Sequence, residues 1–133
     1  MVRPCRCVTS QRAGALMADL RAWLGRLRTR PPVVPVVRLT GVIGGTSLRG
    51  GGLNLSSVNP VLERAFKLRG AKAVALTINS PGGSPVQSAL IAGRIRALST
   101  EKRLPVLAFI EDVGASGGYW LALAADEIFA DPS

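Results

Sequence analysis

Val113-Gly-Ala-Ser-Gly-Gly-Tyr-Trp120 is the stretch on which the reading of this 133-residue chain turns. A single serine, Ser116, stands among Gly114, Ala115, Gly117 and Gly118, so almost no side chain separates its hydroxyl from an approaching backbone. The apolar run at 104–110, punctuated by Pro105, reads as a buried strand, and the run at 119–125 as a buried helix. Ser116 then occupies a strand-to-helix turn at the carboxyl edge of its strand, where the amides of the next helical turn face whatever the hydroxyl attacks. The same residues also spell a glycine-rich turn with an N-cap serine, and on this stretch alone both readings stand.

A second loop tips the balance toward a site. Ala73-Val-Ala-Leu-Thr-Ile-Asn79 is another β-rich run, and it leads through Ser80-Pro-Gly-Gly-Ser-Pro85 into a helical stretch at 86–98. Two consecutive β-loop-α units put both glycine-rich loops at the same edge of a parallel sheet. Further out, Val36-Val-Arg-Leu-Thr40 reads as the first strand. Residues 41–55 read as a glycine-rich loop, either a mobile flap over a cleft or a plain connection. A helix is expected at 56–69, with Val58, Leu62, Ala65, Phe66 and Leu68 as its apolar face and Gly70 as its stop, and a last strand at 127–130. The order β-α-β-α-β-α-β argues for an α/β fold of repeated β-α units with a mostly parallel sheet. Leu76, Ile78, Val106, Leu107, Phe109 and Ile128 are its expected core.

Composition narrows the function. A chain that is 47% hydrophobic suffices for one modest domain. The net charge of +9 is concentrated in the head: eight arginines stand against Asp19 up to residue 38, whereas 39–133 holds nine basic and seven acidic residues. A nucleic-acid-binding domain would carry its charge on the folded part, so no nucleic-acid partner is expected. Cys5 and Cys7 are too few for a disulfide framework or a four-ligand zinc site, and no metal is expected. Neither a phosphate-binding Lys-Ser/Thr ending nor a strand-GxGxxG-helix arrangement is present, so no cofactor is expected either.

In the head, Leu16, Leu20, Trp23, Leu24 and Leu27 recur at helical spacing among Arg12, Arg21, Arg26 and Arg28. That pattern describes a short basic amphipathic helix, whether peripheral on a membrane, packed against protein, or part of an organelle transit peptide. Pro31-Pro-Val-Val-Pro35 separates this extension, 1–30, from the domain at 31–133. No run of about 18 apolar residues spans a bilayer, so a cytoplasmic or peripherally membrane-associated protein is expected.

Asn79-Ser-Pro-Gly-Gly83, then Ala115-Ser-Gly-Gly-Tyr119 and Ala124-Ala-Asp-Glu-Ile128, resemble in order and spacing the signal peptide peptidase A and protease IV family of serine peptidases. The resemblance covers about residues 33–133. It implies the Clp protease/crotonase type of fold, a Ser-Lys dyad, peptide or protein substrates such as signal-peptide remnants and other membrane-derived or unfolded segments, and assembly into homo-oligomers. It marks Ser116 as nucleophile and the amides of Gly83 and Gly117 as the oxyanion hole, with Ser80, Pro81, Gly82 and Gly118 lining the substrate site. For the hydroxyls of Ser80 and Ser84, turn and N-cap chemistry is the favoured reading.

The base is the missing part. The chain has no histidine, which excludes a Ser-His-Asp triad and leaves lysine as the candidate. Lys67, Lys72 and Lys102 all fall toward the amino edge of the sheet, whereas Ser116 lies past the carboxyl edge; a six-residue strand spans about 20 Å, beyond a lysine's reach. In the resembled family the lysine comes well after the serine, past residue 133, so the resemblance implies an incomplete domain whose base lies outside this chain. Two other classes stand beside the peptidase. One is a catalytically silent binding or assembly module. The other is a crotonase-like acyl-CoA enzyme, for which Glu111 and Asp112 are the nearby acids, although they read as a solvated turn ending the strand.

Overall fold

The computed structural model describes residues 31–45 and 52–131. The expected amphipathic helix at 13–27, with its membrane contact, and the tip of the 41–55 loop lie outside the described residues. Four strands form one sheet in the order of the chain, β1 (Val36–Thr40), β2 (Val74–Ser80), β3 (Val106–Gly114) and β4 (Glu127–Ala130). Every neighbouring pair is parallel. The connections are α1 (Leu55–Phe66), α2 (Pro85–Lys102) and α3 (Gly117–Ala122). Parallel strands laid down in sequence with right-handed crossovers send each helix to the same face.

Register explains which side chains meet those helices. Val37, Leu76, Ala108 and Ile128 lie in one row, and Leu39, Ile78, Ile110 and Ala130 in the next. Val37, Leu39, Leu76, Ile78 and Ala108 are buried against Leu62 and Phe66 of α1 and Ile91, Ile95 and Leu98 of α2. Each fully buried aliphatic side chain contributes roughly 1.5–3 kcal/mol, so this layer outweighs any surface ion pair on the molecule. The opposite face presents Val36, Leu107, Phe109 and Phe129, with the rings of Phe109 and Phe129 stacked at 5.0 Å.

That one-sided arrangement corrects the expected core. Leu76, Ile78 and Val106 are buried, but Leu107 is only partly so, and Phe109 and Ile128 are 37% and 38% exposed. Leu107 and Phe109 point away from the helices, and Ile128 lies on the edge strand. A second correction concerns β3. It runs on through Glu111 and Asp112 to Gly114, because Gly114 pairs with Ser80 after a register shift that leaves the extra residues on β3, so these acids belong to a strand and not to a turn. A third concerns the helix after Ser116, which ends at Ala122 and leaves Tyr119, Trp120 and Leu123 about half exposed.

Helix ends follow local chemistry. Asn54 caps α1, its Oδ1 accepting from Ser57 N at 2.9 Å while Ser57 Oγ accepts from Asn54 N at 3.3 Å, a reciprocal capping box. Ser84 caps α2, accepting from Gln87 N at 3.4 Å, and Pro85 follows at the first helical position, where its missing N–H costs nothing. Arg94 clasps the two helices, donating to Asn59 Oδ1 at 2.7 Å and to Glu63 Oε1 at 2.8 Å.

The Lys67 ammonium, then the Asn59 amide and Arg94, hold Glu63 down from 4.5 to about 2. A depressed carboxylate stabilises the fold above its unfolded value and loses that contribution as pH falls through its folded value. Thermal unfolding of Glu63→Gln should therefore differ from that of the parent near pH 6 and converge with it as pH drops from about 4.5 toward 2. A difference independent of pH would show that the clasp does not depend on the Glu63 charge.

Candidate active site

The two glycine-rich loops are joined before either presents a functional group. Ser80, the last residue of β2, pairs with Gly114, the last of β3, and its carbonyl accepts from Ala115 N at 3.1 Å. The next residue, Ser116, is exposed and adopts φ 50° and ψ −119°. A side chain held in that left-handed region costs on the order of 1–3 kcal/mol and persists only where the surroundings enforce it. They do so here through the α3 turn: Gly118 N donates to Ala115 O at 2.8 Å, and Trp120 N to Ser116 O at 3.1 Å. The Ser116 hydroxyl caps nothing, although Ser116 stands at the N-cap position. The turn reading and the nucleophile reading thus part company at this residue.

The other loop presses against the same turn. Gly82 has φ 97°, and a Cβ there would come within 2.7 Å of Gly117 N and 2.8 Å of Ser116 Cβ. Gly83 has φ 146°, and a Cβ there would collide with the Ile43 carbonyl. Only glycine permits both the torsions and the approach. Gly83 is exposed, and among the described residues neither its amide nor that of Gly117 has a hydrogen-bond partner. Two unpaired backbone donors therefore flank the serine from two different loops.

Support comes from below. Ile43, 1% exposed, donates to Gly82 O and accepts from Ser84 N, both at 2.8 Å. On its other side, Gly44 N donates to Leu53 O at 2.7 Å and Leu53 N to Val42 O at 3.0 Å. The described legs of the 41–55 loop are thus a brace; its flap reading falls on residues 46–51, outside the described ones.

The expected substrate-lining residues divide. Ser80 is fully buried, donating to Gly41 O at 2.6 Å and accepting from Gly82 N at 3.2 Å, so its hydroxyl holds the loop instead of reaching a substrate. Gly82 and Gly118 are buried packing positions, while Pro81 and Gly83 face solvent. Ser84 is the expected N-cap.

No lysine approaches Ser116. Lys67 bonds Glu63 at 2.8 Å, Lys102 bonds Glu101 at 2.7 Å in the last turn of α2, and Lys72 precedes β2. Asp112 accepts from Asn79 Nδ2 at 2.9 Å, and with Glu111, Ile110, Ala130 and Asp131 it lines a surface cavity of about 550 Å³. Sequence reasoning missed Ser88, a fully buried hydroxyl packed beside Gly117. Its signal was a serine four residues after the Ser84 cap, among the apolar positions of α2.

With this geometry in view, the model of Peptidase family S49 matches residues 99–133, a span that includes Ser116. A Brucella abortus protein named Na(+)/H(+) antiporter NhaA is 57% identical over 110 residues, 81% of this chain but 15% of that protein. Its name belongs to that whole protein; among the described residues here, no helix is long and apolar enough to cross a membrane. The chloroplastic serine protease SPPA of Arabidopsis thaliana is 45% identical over 60 residues, 45% of this chain and 9% of its own length. The chain thus spans only a small part of these relatives. Among solved structures, a mutant of the 1510-N membrane-bound stomatin-specific protease matches with a TM-score of 0.55 at 20% identity, over 77% of this chain and 45% of its own. That likeness bears on the fold: the α/β chain with its parallel sheet has the Clp protease/crotonase-type architecture.

Two glycines should respond to alanine with opposite signs. Gly82→Ala meets both a positive φ and the Ser116 turn, and should destabilise by about 1–3 kcal/mol in denaturant unfolding. Gly93, inside α2 with open space at its Cβ position, should gain about 0.4–1 kcal/mol on becoming alanine. Equal effects at the two positions would mean that Gly82 does not touch the serine turn.

Proposed function

This chain belongs to the signal peptide peptidase A and protease IV family of serine peptidases, and from that premise we propose that it carries the nucleophile and oxyanion donors of a serine endopeptidase. The observation that supports this most is the strained, uncapped, exposed Ser116 with the unpaired Gly83 and Gly117 amides beside it. In this reading Ser116 Oγ attacks the scissile carbonyl carbon, forming a C–O bond while the carbonyl electrons move onto oxygen. The Gly83 and Gly117 amides receive that oxyanion, each contributing roughly 3 kcal/mol. The tetrahedral species collapses with cleavage of the C–N bond, and water later releases the acyl group from Ser116.

The proton taken from Ser116 and returned to the leaving amine needs a base. We assign that role to a lysine outside the described residues, on another segment or another subunit, since Lys67, Lys72 and Lys102 are engaged or placed at the wrong edge. Signal-peptide remnants and other unfolded, membrane-derived segments are the proposed substrates, and a homo-oligomer the proposed assembly. No metal, cofactor or nucleic acid enters this reading.

Assayed alone on an unfolded apolar peptide, residues 1–133 should show no appreciable turnover. Joined to the lysine-bearing carboxyl-terminal segment of a family peptidase, the chain should gain turnover that Ser116→Ala lowers by about 10⁴-fold or more in kcat. Turnover by the short chain that needs Ser116 would place the base within it. Silence from both forms would favour the non-catalytic assembly module.

A further inference from the structure

Ser88 lies on the second turn of α2, 0% exposed, and among the described residues the buried serines Ser80 and Ser99 each hold backbone in place. Its Oγ donates to Ser84 O at 2.9 Å, and its N donates to the same carbonyl at 3.0 Å. Ser84 directly follows Gly83, and its N is in turn tied to Ile43 O. On the other side, the Ser88 hydroxyl fills the space where a Gly117 side chain would begin, with Ser88 Cβ 3.4 Å and Ile43 Cδ1 3.2 Å from that point. One buried hydroxyl therefore touches both walls of the site, the wall carrying the Gly83 amide and the wall carrying the Gly117 amide. Close-packed interiors transmit a change of a single atom to their neighbours.

We propose that Ser88 is a positioning residue that sets the spacing of the Gly83 and Gly117 amides, and so tunes the hole for a tetrahedral oxyanion over a planar carbonyl. This rests on the peptidase reading above. Ser88 touches no substrate; it acts through Ser84 and Gly117. A hole shaped by one buried contact favours the transition state only while both donors aim at the oxyanion position.

The test uses a peptide boronate and the chain joined to the lysine-bearing segment named above, which serves as the parent. Ser116 Oγ adds to boron, its proton passes to solvent, and a boron hydroxyl takes the oxyanion place; boron-11 resonance reports the change from trigonal to tetrahedral. The same peptide ending in a carboxamide measures binding of the planar ground state. Ser88→Ala should weaken the boronate about 10-fold while leaving carboxamide affinity unchanged, a split that a merely structural role would not produce. Gly117→Ala should weaken the boronate in the parent, and by less in the Ser88→Ala background, because the obstructing hydroxyl is gone. Should the alanine variant fail to fold, Ser88→Cys, similar in size and a weaker donor, serves the same comparison.

If the parent forms no tetrahedral adduct, both the peptidase reading and this proposal fall. If the parent forms it and Ser88→Ala binds boronate as tightly, only the role of Ser88 is overturned. Equal losses for boronate and carboxamide would likewise reduce Ser88 to a structural residue.

Discussion

Two hydrogen bonds on the backbone of Ile43, one given to Gly82 O and one accepted from Ser84 N, are the constraint from which the site is built. Gly82 and Gly83 have positive φ, one of the many conformations open to glycine, so a partner is needed to select it. Ile43 supplies the missing partner from a different part of the chain, and its side chain is anchored in the core. Ser80 adds a second tie through Gly41. With the loop fixed, its glycine backbone forms a wall against which the Ser116 turn is pressed.

The strain at Ser116 is therefore maintained by the α3 turn and by the glycine wall pressed against it. β3 brings the chain to Gly114 in register with Ser80, and α3 begins at once, so the one residue between Ala115 and Gly117 absorbs the change of direction. A serine in such a place keeps its hydroxyl outside the helical hydrogen-bond pattern, in the open, with unpaired amides nearby. The cost of a few kcal/mol is small beside the burial of Leu39, Leu76, Ile78, Ile91 and Ile95 in the layer behind it. The exposed, uncapped hydroxyl is what supports Ser116 as the proposed nucleophile, and Lys67 and Lys102 are held in ion pairs elsewhere.

The sheet is covered by helices on one face, while its other face carries Phe109 stacked on Phe129 with Val36 and Leu107 nearby. Parallel sheets are almost always covered on both faces, because their strands are apolar on both sides. This face differs from the site in kind. Among the described residues it carries Arg38 and Glu127 beside its apolar side chains, whereas the carboxyl edge gathers the glycines, the serine and the unpaired amides.

The linear sequence determined the order of elements, the parallel class, and the pairing of two glycine-rich loops at one edge, because these follow from short-range pattern: apolar runs of strand length, a cap at Ser84, and proline and glycine at the breaks. It also marked Ser116, Gly83 and Gly117, and it excluded a histidine triad outright. Tertiary structure alone decided which face of β3 is buried, since alternate residues of an apolar strand look equivalent until the helices choose a side; hence Leu107 and Phe109 point away from the core, while Ile128, in the helix-facing row, is exposed by its place on the edge strand. It alone turned Ser80 from a substrate-lining residue into a brace, because the partner, Gly41, lies far away along the chain. Ser88 was hidden for the same reason: its contact with Gly117 exists only once α2 and the Ser116 turn have been packed against each other.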